Sequence, residues 1–356
     1  MQWMVTLSIL LSATLAMPAT AQTVSPVPTI ATPPPPPPPP CRRVGDDPAI
    51  RIDPDALARM AQIGLDRAGV FERMHETSIP ETTGCWADPV GNFDSQLISV
   101  GMAQWNFGTG SLQPVLAAWR SQFRHKRDFK WARDALAPTY GKLLFSKPCL
   151  AVPVADTCRA AILAAEDDKG KLNAVLAAEL IALFEGDAML QVQTDTYIAL
   201  LDKVRLDLLR VFAGEPITAR KVRWAIDVRV QQGFLPPDED VARLRAKLAV
   251  LPGAERAPKL QAIVDWYGAL ARTIDEDGIA RDWRWNVAQW TCLIDAGQVD
   301  DEQYELMSLT FLRSRAAIGN SGRWQALAFE RRAKIVLGLG SVSGVRDGVC
   351  AAPAAS

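Results

Sequence analysis

The strongest constraint on this chain is the spacing of its apolar residues, which follows a helical period from Pro54 almost to the C-terminus. Residues 55–70, 171–184, 189–212, 219–232, 238–251, 258–275 and 301–315 read as amphipathic helices, many of them rich in Ala and Leu. One stretch breaks the pattern. Residues 76–110 concentrate Gly, Thr, Asn, Asp and Pro, and read as loops with a small hairpin. The expected fold class is therefore mainly α, with one irregular lobe set among helices, the usual place for a cleft.

The ends of the chain read differently. Met4 to Leu15 is an apolar run too short to span a bilayer, and Ala19-Thr20-Ala21 supplies small residues before Gln22. Residues 1–21 are therefore expected to be a signal peptide, although no Lys or Arg precedes the run. A Pro-rich linker follows over 22–50, with Pro33 to Pro40 unbroken, a composition that favours stiff polyproline II. The folded domain is expected over 51–347, and 348–356 is a tail. No later stretch is long and apolar enough to suggest a transmembrane helix. The six cysteines, none in a CxxC pair, fit an oxidising compartment, and Cys149 and Cys158 bracket a short loop that suits a bridge. Periplasmic or secreted localisation is the expectation. A net charge of −1 argues against a nucleic-acid partner, and the only histidines, His75 and His125, offer no metal site; no cofactor is expected.

Within the irregular stretch, Glu76 ends an amphipathic segment with Phe71 and Met74 nearby to desolvate it. Asp94 follows in Gly91-Asn92-Phe93-Asp94, and then comes a run containing Gln104, Trp105 and Asn106. An acid with raised proton affinity and a second carboxylate are what glycosidic hydrolysis requires. Amides can bind sugar hydroxyls, and an indole can stack on a pyranose. Each residue also has a plainer reading. Glu76 can pair with Arg73, Asp94 can stabilise a turn, and Gln104 and Trp105 can pack the lobe. Trp283, Trp285 and Trp290 can form a sugar platform or simply core. Asp227 suits a buried ion pair with Arg331 or Arg332. The basic segment from Arg120 to Arg133, interleaved with Trp119, Phe123, Phe129 and Trp131, reads as a solvated helix face with a buried aromatic side, or as a contact for an anionic polymer.

The order of these motifs resembles the lysozyme-like glycosidases. Glu76-Thr77-Ser78 is similar to the Glu-Ser of goose-type lysozymes and lytic transglycosylases, and Gly101-Met102-Ala103-Gln104 to their Gly-Leu-Met-Gln. The separation of Glu76 from Asp94 and the glycine-rich run beyond it resemble family 46 chitosanases. The whole also resembles bacterial proteins labelled peptidoglycan-binding. Two later segments, Trp224 to Gly233 and Arg331-Arg332 with Gly338 to Gly344, are similar to the central helix and ending of those proteins, so the resemblance spans residues 55–345. Departures occur at Ser95-Gln96-Leu97, where the pattern has Gly-Gln-Gly, at Gln232 in place of Asn, and at Ser343 in place of His.

The resemblance implies a two-lobed helical fold with the small lobe beside a cleft. It implies Glu76 as general acid and Asp94 as general base, with Thr77, Ser78, Gln104, Trp105 and Asn106 near substrate. The expected function is hydrolysis of β-1,4 bonds in an amino-sugar polymer, peptidoglycan first by location. A chitosanase-type hydrolase and a non-catalytic peptidoglycan-binding protein are the alternatives. Oligomeric state is left open.

Overall fold

A computed structural model describes residues 41–92, 95–276, 282–317 and 321–338. The expected signal peptide, the linker up to Pro40, Asp94, Ser343 and the C-terminal tail lie outside the described residues.

The helical reading holds among the described residues. In chain order the elements are α1 (Pro54–Ala61), α2 (Arg67–Thr82), β1 (Ser99–Val100), β2 (Trp105–Asn106), α3 (Leu112–Ser121), α4 (Lys126–Leu136), α5 (Gly141–Leu144), α6 (Asp156–Leu163) and α7 (Ala174–Phe184). Then follow α8 (Asp187–Val211), α9 (Ala219–Gln232), α10 (Asp238–Ala249), α11 (Gly253–Asp275), α12 (Trp283–Asp295), α13 (Asp301–Arg315) and α14 (Gly322–Leu337). The long helix α8 buries a stripe that includes Leu190, Tyr197, Leu201, Val204 and Leu208, and packs against α1, α3, α7 and α9. Helices α11 to α14 pack on one another. Helix α9 joins the two groups, touching α8, α2 and α14. Tryptophans make the joins specific: Trp224 on α9 donates to Thr310 Oγ1 at 2.9 Å, and Trp290 on α12 donates to the Ala333 carbonyl at 3.3 Å. Trp283 and Trp290 are buried and Trp285 packs against the core, so these three rings are core rather than a platform.

Several boundaries differ from expectation. Residues 55–70 do not form one helix, because Gly64 adopts φ +75° and Asp66 starts a new one by accepting the Gly69 N–H at 2.7 Å. Helix α2 runs on to Thr82, so Glu76 sits within a helix and not at its end. Helix α11 starts earlier than expected, at Gly253, and continues through Pro258. Residues 41–50, expected as linker, belong to the folded body. Val44 and Ile50 are buried, Cys41 bonds Cys85, and Arg42 pairs with Asp47 and Asp187 at 2.6 and 2.7 Å. The Cys149–Cys158 bridge is present, and Cys292 is also disulfide-bonded. No described helix is long and apolar enough to cross a membrane.

The irregular stretch contains the expected hairpin, β1 antiparallel to β2 with Val100 opposite Trp105. Its turn needs Gly101, whose φ is +87° and where a Cβ would lie 2.7 Å from the Trp105 ring. Just before it, Ser95 and Leu97 take φ +67° and +66°, the left-handed region that glycine enters freely. These are the two positions where the resembled pattern carries glycine. Ser95 and Leu97 hold this left-handed backbone without being glycine, at a cost of about 1–2 kcal/mol per residue.

Candidate functional site

Three helices build one cavity by helical spacing. Helix α2 supplies Arg73, Glu76 and Thr77, α9 supplies Arg223, Ile226, Asp227 and Val230, and α14 supplies Arg331 and Ile335. Residues three and four apart share a helix face, so each helix turns one stripe toward the space. The enclosed space is about 30 Å³, room for roughly one water, and it widens to about 350 Å³ only when the open mouth is counted.

Glu76 is the acid on its wall, with its side chain 18% exposed. One carboxylate oxygen contacts Arg73, a helical turn earlier, and the other lies 3.0 Å from Arg223 of α9. Arg73 also meets Glu72 at 2.5 Å, nearer the solvent. Burial pushes the Glu76 carboxyl above its ordinary value, and Arg73 and Arg223 pull against that without cancelling it. The backbone is unusual at the same residue. Pro80 lies one turn on and has no N–H to give the Glu76 carbonyl, so the ladder of α2 is open at the acid. The helix then closes with Thr83 left-handed and the Gly84 N–H returning to the Ser78 carbonyl at 3.1 Å.

Behind the acid lies a fully engaged ion network. Asp227, buried on α9, accepts from Arg331 at 2.8 Å and from Arg332 at 3.0 Å. Arg331 continues to Glu81 on α2 at 2.8 Å, and Arg332 continues to Gln231 and Gln232 at 2.8 Å each. Burial pulls Arg332 down to about 10, opposed by Asp227, so it remains charged near neutrality. Both Asp227 oxygens are taken, which leaves it to hold α9 against α14 and not to activate water.

The other expected site residues separate into distinct places. Thr77 lines the cavity, but its hydroxyl donates to buried Tyr197, which donates in turn to the Arg73 carbonyl at 3.0 Å. Ser78 is buried and donates to the His75 carbonyl. Gln104 donates to the Asp88 carbonyl at 2.9 Å, Trp105 is packed in the hairpin, and Asn106 accepts from the Thr109 N–H and hydroxyl. Ser78 is thus engaged within α2 and Gln104, Trp105 and Asn106 within the lobe, and none of these four lines the cavity. Asp94 lies outside the described residues. Its neighbour Asn92 accepts the Leu97 N–H at 2.8 Å and donates its own N–H to Glu166, whose carboxyl burial pushes up. Among the described residues no group of three or more His, Cys, Asp or Glu side chains could hold a metal.

Sequence reading did not single out Arg223, and it met Ile226, Val230 and Ile335 only as parts of the two later resembling segments, not as site residues. The signal was present in the spacing: Arg223, Asp227 and Val230 repeat at four and three, and Arg331 and Ile335 at four. No family model matches the chain, and no similar characterised protein or solved structure is found.

Proposed function

We propose that the chain is an exported glycoside hydrolase of lysozyme-like fold that cleaves β-1,4 bonds of an amino-sugar polymer, with Glu76 as the proton donor. The observation that carries the reading is a largely buried carboxyl on a cavity wall whose proton affinity is raised by burial. A group of that kind keeps a proton at a pH where an ordinary carboxyl has lost it, and can deliver it to a leaving oxygen. The glycine-like backbone at Ser95 and Leu97 supports kinship with the resembled lobe. Disulfides support an oxidising compartment, and periplasmic or secreted localisation follows from them together with the signal-like N-terminus.

Location favours peptidoglycan over chitosan, since the wall charges do not choose: Arg73, Arg223 and Arg331 are matched by Glu72, Glu76, Glu81 and Asp227. Because Asp227 is fully engaged, two routes remain for the second half of the reaction. Asp94 activates water for an inverting attack, or the substrate's own groups complete a single-acid, transglycosylase-type cleavage.

A second reading has one specific observation behind it: both Glu76 oxygens already face guanidinium groups, as expected of a structural ion pair in a non-catalytic wall-binding protein. Purified peptidoglycan and chitosan, incubated with wild type and with Glu76→Gln, separate the readings. Loss of Glu76 should reduce cleavage by about 10²–10⁴-fold. Mass spectrometry of the fragments distinguishes reducing from anhydro ends, and so the two routes. Binding without any fragments from wild type selects the non-catalytic reading, and equal cleavage by both proteins removes Glu76 from the chemistry.

A further inference from the structure

The segment that leads from the end of α3 into α4 is dense in cations. Between Arg120 and Arg133 there are six cations against one acid, Asp128, on a chain whose total charge is −1. The helix buries no residue of its own. Its apolar side, Phe129, Ala132 and Leu136, rests on the core, where Phe129 joins Trp119, Phe123 and Phe145 in an edge-to-face cluster with centroids 4.9 to 6.0 Å apart. Two of the cations belong to that inner side. Arg120 and Arg133 lie over the Phe129 ring at 5.4 and 5.7 Å, and Arg133 pairs with Asp134 at 2.6 Å.

The remaining four point elsewhere. Arg124, Lys126 and Lys130 are exposed and make no ion pair among the described residues. Arg127 is 91% exposed, with only a loose 3.5 Å approach to Asp128. Among them stands Trp131, 76% exposed. The other aromatic rings of this segment are packed, so this indole is set apart from them. None of these residues lines the Glu76 cavity.

We infer that the outer face of α4 docks on an anionic lipid surface. A flexible anionic polymer is gripped in a groove by paired polar groups and several stacked rings, and this face offers one ring without such a groove. A charged bilayer surface instead asks for cations at one level around an indole, because Trp partitions to the headgroup region while Lys and Arg meet the lipid phosphates. Each cation near such a surface strengthens partition about 5-fold, so three together account for on the order of 100-fold. The assignment is independent of the glycosidase reading and stands whether or not Glu76 is an acid.

The test is co-sedimentation of the full chain with vesicles of mixed phosphatidylglycerol and phosphatidylcholine, with phosphatidylcholine vesicles beside them. Wild type should partition to the anionic vesicles only, and release at about 0.5 M salt, where the screening length falls to a few ångströms. The variant Lys126→Gln/Arg127→Gln/Lys130→Gln should bind on the order of 100-fold more weakly. Trp131→Ala should weaken binding further in a way salt does not change. Both variants should melt with wild type, because their side chains are exposed. Equal partition to neutral and anionic vesicles overturns the inference, and so does vesicle binding untouched by the triple variant. Binding to soluble polyphosphate or polyglutamate but not to vesicles, with Trp131→Ala indistinguishable from wild type, overturns it in favour of a polymer.

Discussion

The cavity at Glu76 and the outer face of α4 are both rich in cations, arginines in the first and arginine with lysine in the second, yet they use charge in opposite ways. In the cavity every cation has a carboxylate: Arg73 and Arg223 meet Glu76, and Arg331 and Arg332 meet Asp227. On α4 the outward cations have water. Buried charge must be paired because desolvation costs several kcal/mol per ion, whereas exposed charge can stay free. The first arrangement fixes side chains in place, which a reacting group requires. The second leaves charge available to a partner.

The difference is most directly broken by removing the hub of the paired network. Asp227→Asn leaves Arg331 and Arg332 buried without a carboxylate between them, and should cost about 3–5 kcal/mol in urea unfolding. A loss below about 1 kcal/mol would mean that the arginines reach solvent and that the network is not structural.

Acidity sharpens the comparison at Glu76. Its value is raised in the folded state by burial, so the folded protein binds this proton more readily than the unfolded chain. Stability should therefore fall, relative to Glu76→Gln, as pH rises from the ordinary carboxyl value through the raised one. Urea midpoints of both proteins at acid and neutral pH read this directly. The opposite slope, with wild type losing ground on acidification, would show that Arg73 and Arg223 outweigh burial. If Glu76 donates the proton, cleavage should decline over that same rise in pH.

At the rim of the network the effect should be smaller. Glu72 is 59% exposed and meets Arg73 from the solvent side, so Glu72→Gln should change stability by about 0–1 kcal/mol, and less in high salt. Smallest of all, the triple substitution on α4 should move stability by no more than about 0.5 kcal/mol, measured by thermal melting. A larger loss would place those cations in the fold and not on a free surface.

Much of this was legible along the chain. Apolar periodicity located most of the long helices, the composition of residues 76–110 marked loops with a small hairpin, and the short spacing of Cys149 and Cys158 marked a bridge. The pairing of Asp227 with both arginines was also within reach, because a lone acid on a buried helix needs a cation and Arg331-Arg332 is a conspicuous pair. Helices α3, α6, α12 and α14 were not among the expected ones. Their tryptophans, cysteines and mixed polarity weaken the periodic signal, and packing supplies what propensity does not. The end of α2 was misplaced because Pro80 and a run of Thr and Ser read as a break, whereas burial of Thr77, Ser78 and Thr82 carries the helix through them.

By itself, then, the sequence determined which side chains share a helix face, since the period of 3.6 ties Arg73 to Glu76 and Arg223 to Asp227 without reference to anything distant. Only the tertiary structure decided which faces meet. Nothing local in α2 says that Glu76 will stand against Arg223, or that Gln104 and Asn106 will spend their amides on neighbouring loop groups. Those partnerships depend on how α9 is wedged between α2, α8 and α14, and hence on how side chains many turns apart in sequence fill the same space.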